Sequence, residues 1–288
     1  MSHDITLATL GPAGTYSEQA ARKYARQRGC PHPHLLFEPA AQCLAKVALA
    51  QAEVAVLPAE NMVDGIIGST YDALIEFGGE LQVMDELFLP VDHVLAVGKG
   101  MNDMGITHVY SHPSALNQCA RNLHAILPDA ALVPVGSTAE AAVRVAEDGH
   151  HGAAAICARE TAESLGLVVL RTDLGDYPQN HTRFFVCARE RAAASGNDKT
   201  VIAVRYGRNQ PGQLYRTAGF FALRDVDLTS VHSRPYKARP REYVLLFELD
   251  GHREERAVRE ALADVAAQVR ETDGWLIVLG SHPRRGLG

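Results

Sequence analysis

Ile5-Thr6-Leu7-Ala8-Thr9-Leu10-Gly11-Pro12-Ala13-Gly14-Thr15-Tyr16-Ser17-Glu18 is the stretch on which the fold class turns. An apolar run at 5–10 stops at a glycine-rich turn, and residues 16–28 then follow helical spacing. Thr15 stands where an N-cap belongs and Glu18 follows three residues later, the spacing of a capping box. A strand feeding a helix through such a turn is the repeating unit of an α/β protein.

The same rhythm extends outward. Helical patterns are expected at 40–48 and 65–77, with a buried strand at 54–57 that ends at Pro58. Strand-like runs at 81–89 and 93–97 follow. Strands and helices then alternate over 108–110, 113–126, 131–134, 138–147, 153–156, 158–165 and 167–170, and a strand at 183–188 closes the unit. This alternation predicts a parallel sheet covered on both faces. Residues 192–198, with Ser195-Gly196-Asn197-Asp198, read as a linker. Beyond it, strand 200–206, helix 212–223, strands 227–233 and 241–249, helix 254–270 and strand 275–279 give βαββαβ, a split ferredoxin-like order.

The 288 residues suit two domains, and 47% hydrophobic residues supply a sizeable core. A formal net charge of −6 argues against a nucleic-acid partner, because such binding needs clustered Lys and Arg. The five cysteines form no CxxC pair and no complete disulfide framework, so they are expected as buried apolar residues. Met1-Ser2-His3-Asp4 does not begin a basic-then-apolar leader, and no apolar run approaches the roughly 20 residues of a membrane helix. The expectation is a cytoplasmic protein without a membrane partner.

Four segments at element ends are rich in polar and small residues. The Gly11–Ser17 turn would aim helix N–H groups at an anion, although it is neither a GxGxxG nor a P-loop. An ordinary turn capped by Thr15 is the plainer alternative. Glu60 and Asn61 follow an apolar strand, where α/β sheets gather ligands, or they serve only a turn with Gly65. Ser111 could cap the helix that begins near Pro113, with Gln118 facing a cleft. In Asn180-His181-Thr182-Arg183-Phe184, the Arg183 fork is suited to a carboxylate, Thr182 to hydrogen bonding and His181 to proton transfer or simple exposure. His32/His34 and His150/His151 have no partner set for zinc, and no metal site is expected.

Taken together, Gly11-Pro12-Ala13-Gly14-Thr15-Tyr16-Ser17, Pro58-Ala59-Glu60-Asn61, Ser111-His112-Pro113 with Gln118-Cys119, Ser137-Thr138-Ala139 and Asn180-His181-Thr182-Arg183-Phe184 resemble prephenate dehydratase. Ser233-Arg234-Pro235 and Leu279-Gly280-Ser281-His282-Pro283 resemble the ACT domain that follows many of these enzymes. The resemblance implies an α/β, two-lobed, periplasmic-binding-protein-like catalytic domain over 1–190, with lobe one at about 1–80 plus 176–190 and lobe two at about 81–175. A ferredoxin-like ACT domain over 199–283 would follow. The implied reaction is prephenate to phenylpyruvate, without a cofactor. Thr182 would donate to the departing hydroxyl, with Asn61, Ser111 and Gln118 completing the polar shell. Thr15, Tyr16, Ser17, Glu60, Arg183 and Phe184 would bind substrate, Arg183 by holding a carboxylate. Phenylalanine as effector would use Gly212, Gln213, Leu214, His232, Ser233, Arg234 and Pro235, and a homodimer or homotetramer is implied.

The sequence departs from the family pattern at three places. Met62 replaces the usual Ser or Thr, Gln213 the Ala of Gly-Ala-Leu, and His232 the Glu before Ser233-Arg234-Pro235. Met62 keeps a non-aromatising prephenate decarboxylase among the alternatives. Arogenate as substrate, or a sensor that binds aromatic amino acids without turnover, are the others.

Overall fold

The computed structural model describes residues 5–101, 105–148 and 152–286. The expectations about Met1–Asp4 and the His150/His151 pair therefore lie outside the described residues. The chain begins with β1 (Thr6–Leu10), α1 (Tyr16–Gln27), β2 (His34–Glu38), α2 (Ala40–Ala48), β3 (Val54–Asn61), β4 (Gly65–Ile66), α3 (Gly68–Glu76), β5 (Gln82–Pro90) and β6 (His93–Val97). It continues through β7 (His108–Ser111), α4 (Pro113–Gln118), α5 (Ala120–Ile126), β8 (Ala131–Pro134), α6 (Thr138–Asp148), β9 (Ala153–Ala158), α7 (Arg159–Ser164) and β10 (Val168–Arg171). Then come β11 (His181–Ala188), β12 (Asp198–Arg205), α8 (Gln213–Ala222), β13 (Leu228–Pro235), β14 (Tyr243–Asp250), α9 (Arg256–Arg270) and β15 (Trp275–Pro283).

These strands form three sheets, ordered β2-β1-β3-β11-β5 with β4 on β3, β10-β6-β9-β7-β8, and β13-β14-β12-β15. The first two are mixed, which corrects the expectation of a parallel sheet. β1 runs parallel to β2 and β3, but β11 returns after the whole second sheet and pairs antiparallel with both β3 and β5. In the second sheet β7 is parallel to β8 and β9, whereas β6 is antiparallel to β9 and β10. An antiparallel neighbour needs no crossover helix, so alternation in sequence does not fix strand direction.

Period-two alternation along β11 divides the core. Phe184 and Val186 pack with Ala21, Tyr24 and Ala25 of α1 on one face of the first sheet. Phe185 and Cys187 turn to the other face and join Leu44, Leu74, Leu81 and Val83. That second cluster also takes in Val201, Ala203, Val244, Leu246 and Leu279 of the third sheet, so the two sheets share one apolar interior. On β12 the alternate residues Ile202 and Val204 face away, packing with Phe221 of α8 and Val258 and Val265 of α9. The third sheet is thus covered by its own helices on one side and by the first sheet on the other.

Several local expectations are corrected. β2, which no sequence pattern announces, is an edge strand with His34 exposed and its other residues only partly buried. The helical pattern from 65 starts at Gly68, because Gly65, at φ +80°, ends a turn and pairs with Asn61 in β4. The 113–126 helix breaks at Cys119 (φ −114°) into α4 and α5. Within the segment read as a linker, the Asp198 carboxylate at the start of β12 accepts the N–H groups of Ser195 and Gly196 at 2.8 and 3.0 Å and ties the turn. All five cysteines are free and buried. Among the described residues no helix is long and apolar enough to cross a membrane.

Candidate active site

Thr182 and Asn61 lie directly opposite each other on β11 and β3. Cross-strand neighbours on one face meet, and Asn61 Nδ2 donates to Thr182 Oγ1 at 3.1 Å. Asn61 Oδ1 accepts the N–H groups of Val63 and Asp64 at 2.9 and 3.1 Å, so the side chain also builds the turn that leads to Gly65. The turn role and the site role coexist in one residue. Gln118, at the end of α4, donates from Nε2 to Asp64 Oδ2 at 2.7 Å and to Asn61 Oδ1 at 3.3 Å. Its Oε1 accepts from Asn180 Nδ2 at 2.8 Å and lies 3.1 Å from His93 Nε2. Ser114 donates to Asp64 Oδ2 as well.

This network floors a cavity of about 420 Å³. Thr15, Tyr16 and Ser17 line it at the start of α1, and Gly136, Ser137 and Thr138 at the start of α6. The first-turn N–H groups of a helix lack intrahelical partners and carry partial positive charge, which favours an anion. No Lys or Arg is among the described lining residues, so backbone dipoles are the positive elements on this wall. Burial holds His93 below its usual pKa despite the opposing Gln118 hydrogen bond, keeping the imidazole neutral at pH 7. The described residues contain no group of three or more His, Cys, Asp and Glu arranged to hold a metal ion.

The family model of prephenate dehydratase matches residues 7–192. The chain belongs to the prephenate dehydratase family. A bifunctional chorismate mutase/prephenate dehydratase of Neisseria gonorrhoeae is 34% identical over 283 residues, covering 97% of this chain and 74% of that protein. A prephenate dehydratase of Mycobacteroides abscessus is 34% identical, covering 96% and 89%. The crystal structure of an Arthrobacter aurescens prephenate dehydratase in complex with L-Phe is similar at a TM-score of 0.86 and 32% identity, over 99% of this chain and 91% of that one.

Against this prephenate dehydratase background, the sequence-selected residues divide. Thr15, Tyr16, Ser17, Asn61, Gln118, Thr182 and Phe184 line the one cavity. Arg183 does not. Its neighbours on β11 face the cavity, so strand alternation turns its own side chain to the opposite face, where Nε donates to Glu86 at 2.5 Å and Nη1 to Glu248 at 2.6 Å. Glu60 follows it there, 3.9 Å from Nη1. Ser111 is fully buried in β7 with Oγ donating to Ile156 O at 2.7 Å, so it is neither a lining residue nor a cap; His112 is the N-cap. Thr15 makes no side-chain cap and donates to Pro12 O, while the Glu18 carboxylate takes the Gly14 N–H at 2.7 Å. Met62 is 47% exposed and outside the cavity lining, so its thioether leaves the polar network intact.

Sequence reasoning passes over His93, Asp64 and Ser114. Asp64 sits three residues from Asn61 and Ser114 four from Gln118, and turn or helical proximity is the signal that would have found them. The proposed effector residues also separate. Gly212, Gln213 and Leu214 line a cavity of about 460 Å³ with Tyr206 and Tyr243, whereas Arg234 and Pro235 line another of about 410 Å³ beside Asp72 and Trp275. Arg234 holds Asp72 of α3 through two hydrogen bonds, at 2.9 and 2.8 Å. His232 and Ser233 line neither.

Proposed function

We propose that this chain converts prephenate to phenylpyruvate, releasing carbon dioxide and the ring hydroxyl as water, with the lined cavity as its active site. The observation that carries the reading is the Asn61–Thr182 pair. Asn61 Oδ1 is committed to two backbone N–H groups and the Gln118 amide, so its Nδ2 faces Thr182 and donates to Oγ1. The Thr182 proton is thereby left to point at a substrate hydroxyl. As the carboxylate carbon–carbon bond breaks, its electrons aromatise the ring and expel the hydroxyl; this O–H hydrogen-bonds to the departing oxygen, which takes up a solvent proton and leaves as water. The carboxylates of the substrate are placed against the N–H groups that open α1 and α6, a use of preorganised dipoles rather than side-chain cations.

The C-terminal βαββαβ unit reads as an ACT-type regulatory domain with phenylalanine as effector. Its two candidate stretches line different cavities within one chain, which supports a site completed between copies in a homo-oligomer. The decisive experiment incubates purified protein with prephenate, with and without phenylalanine, and follows phenylpyruvate. Turnover by the unaltered chain, and a loss of about 10²–10³ in kcat for Thr182→Ala, is expected. Equal turnover by that variant overturns the role of Thr182, and a non-aromatic decarboxylated product overturns the reaction.

A further inference from the structure

Arg183 is the residue next to Thr182, yet it belongs to a different environment. Its guanidinium lies between two carboxylates on separate sheets. Nε donates to Glu86 on β5, a neighbour of β11, and Nη1 spans both oxygens of Glu248 on β14 of the third sheet, at 2.6 and 2.8 Å. All three side chains are nearly sealed from solvent, at 6%, 1% and 5% exposure for Arg183, Glu86 and Glu248. Lys199 on β12 reaches Glu248 at 3.4 Å, the Tyr71 hydroxyl lies 3.4 Å from Glu248 Oε1, and the Arg285 N–H donates to the other Glu86 oxygen at 2.9 Å. The Arg183 Cζ also sits 4.8 Å from the Phe185 ring centroid.

The backbone at this point is irregular. Arg183 pairs with Glu60 but Phe184 pairs with Pro58, so the β3–β11 ladder slips by a bulge between them. The extra residue of the bulge, Ala59, lies on β3, and a bulge bends its own strand and disrupts the ladder locally, so β11 passes this point with its pairing to β3 interrupted. The direction in which Thr182 Oγ1 points therefore depends on what holds Arg183 from behind. Breaking one arm of a buried ion cluster leaves an uncompensated charge and moves its partner.

We propose that Arg183 and Glu248 are positioning residues through which the third sheet sets the aim of Thr182 into the cavity. The pair never touches substrate. Charge on Glu248 pulls the guanidinium toward β14, the guanidinium fixes β11 where it passes the β3 bulge, and β11 so held presents the hydroxyl. A carboxylate-binding Arg183 would instead sit in the cavity wall, where no side-chain cation is found among the described lining residues. The inference rests on the dehydratase reading for its kinetic readout but not for its structural one.

The test uses the full chain with Glu248→Gln, which keeps shape and removes charge, alone and combined with Thr182→Ala. With threonine methyl groups labelled, the Thr182 resonance is expected to shift in Glu248→Gln, whatever reaction the chain catalyses. With prephenate, kcat is expected to fall roughly ten- to hundredfold, as small misplacements at reacting groups do, while KM changes less than about twofold. The double variant is expected to lose no more than Thr182→Ala alone, because the effect passes through that hydroxyl. If Glu248→Gln does not fold, Glu248→Asp, which keeps the charge on a shorter arm, is read in the same way. An unmoved Thr182 signal, a rise in KM with kcat intact, or losses that multiply in the double variant each overturn the proposal. Absence of prephenate turnover in the unaltered chain overturns the dehydratase reading alone, and the methyl shift still decides the coupling.

Discussion

Ser111→Ala separates a buried strut from a substrate contact. The Ser111 hydroxyl donates to Ile156 O inside the second sheet, so its loss is expected to lower unfolding free energy by about 1 kcal/mol and leave kcat and KM for prephenate unchanged. Denaturant titration beside steady-state assays reads both, and a selective fall in kcat would return Ser111 to the site. At this scale the sequence reveals which residue types carry chemistry but not which way they point. Thr182, Asn61 and Gln118 are legible only through the ordered set of motifs, because a turn, a cap or a strand end would account for each segment alone. Arg183 misleads because one step along a strand reverses the face, and its partner Glu248 lies 65 positions away with no local pattern to announce it.

At the scale of elements, Gly280 marks where β15 lies across β5. A Cβ placed there would collide with the Val83 backbone, and the β12–β15 ladder already slips near this point to admit the close approach. Gly280→Ala is expected to cost about 1–3 kcal/mol of stability, in the range of overpacked interiors, measured as a lower thermal midpoint. An unchanged midpoint would show that the two sheets separate freely there. Strong helical and strand periods make α1, α2, α9, β3 and the βαββαβ order readable from sequence. The half-buried edge strand β2 and the direction of β11 are not, since the first lacks an apolar stripe and the second is decided by pairing across the whole of the second sheet.

Over the whole molecule, the buried titratable groups make acid destabilising. Burial, aided for His282 by the Arg183 charge, lowers both His93 and His282 from the usual value of 6.5. Burial raises the Glu248 and Asp72 carboxyls, but Arg183 with Lys199, and Arg234 with Lys237, outweigh it and leave both lowered. In each case the unfolded chain takes up protons at higher pH than the folded one. Stability is complete above about pH 6.5, falls as the histidines are forced to charge, and falls again as pH drops through the lowered carboxylate values. Thermal midpoints are expected to decline from about pH 7 to about pH 5, with His282→Gln flattening that part of the curve. A midpoint that rises toward acid would contradict the sign.

The interior shared by the first and third sheets also governs what recombination can do with such a chain. A tail borrowed from a relative would arrive with its own face toward Leu57, Leu74 and Phe185, so a fusion near residue 192 would join two surfaces never fitted to each other. Productive exchange would have to carry the facing residues of β3, α3 and β5 along with the tail. A segment that reads in sequence as a detachable module is, by its packing, fitted to one particular companion.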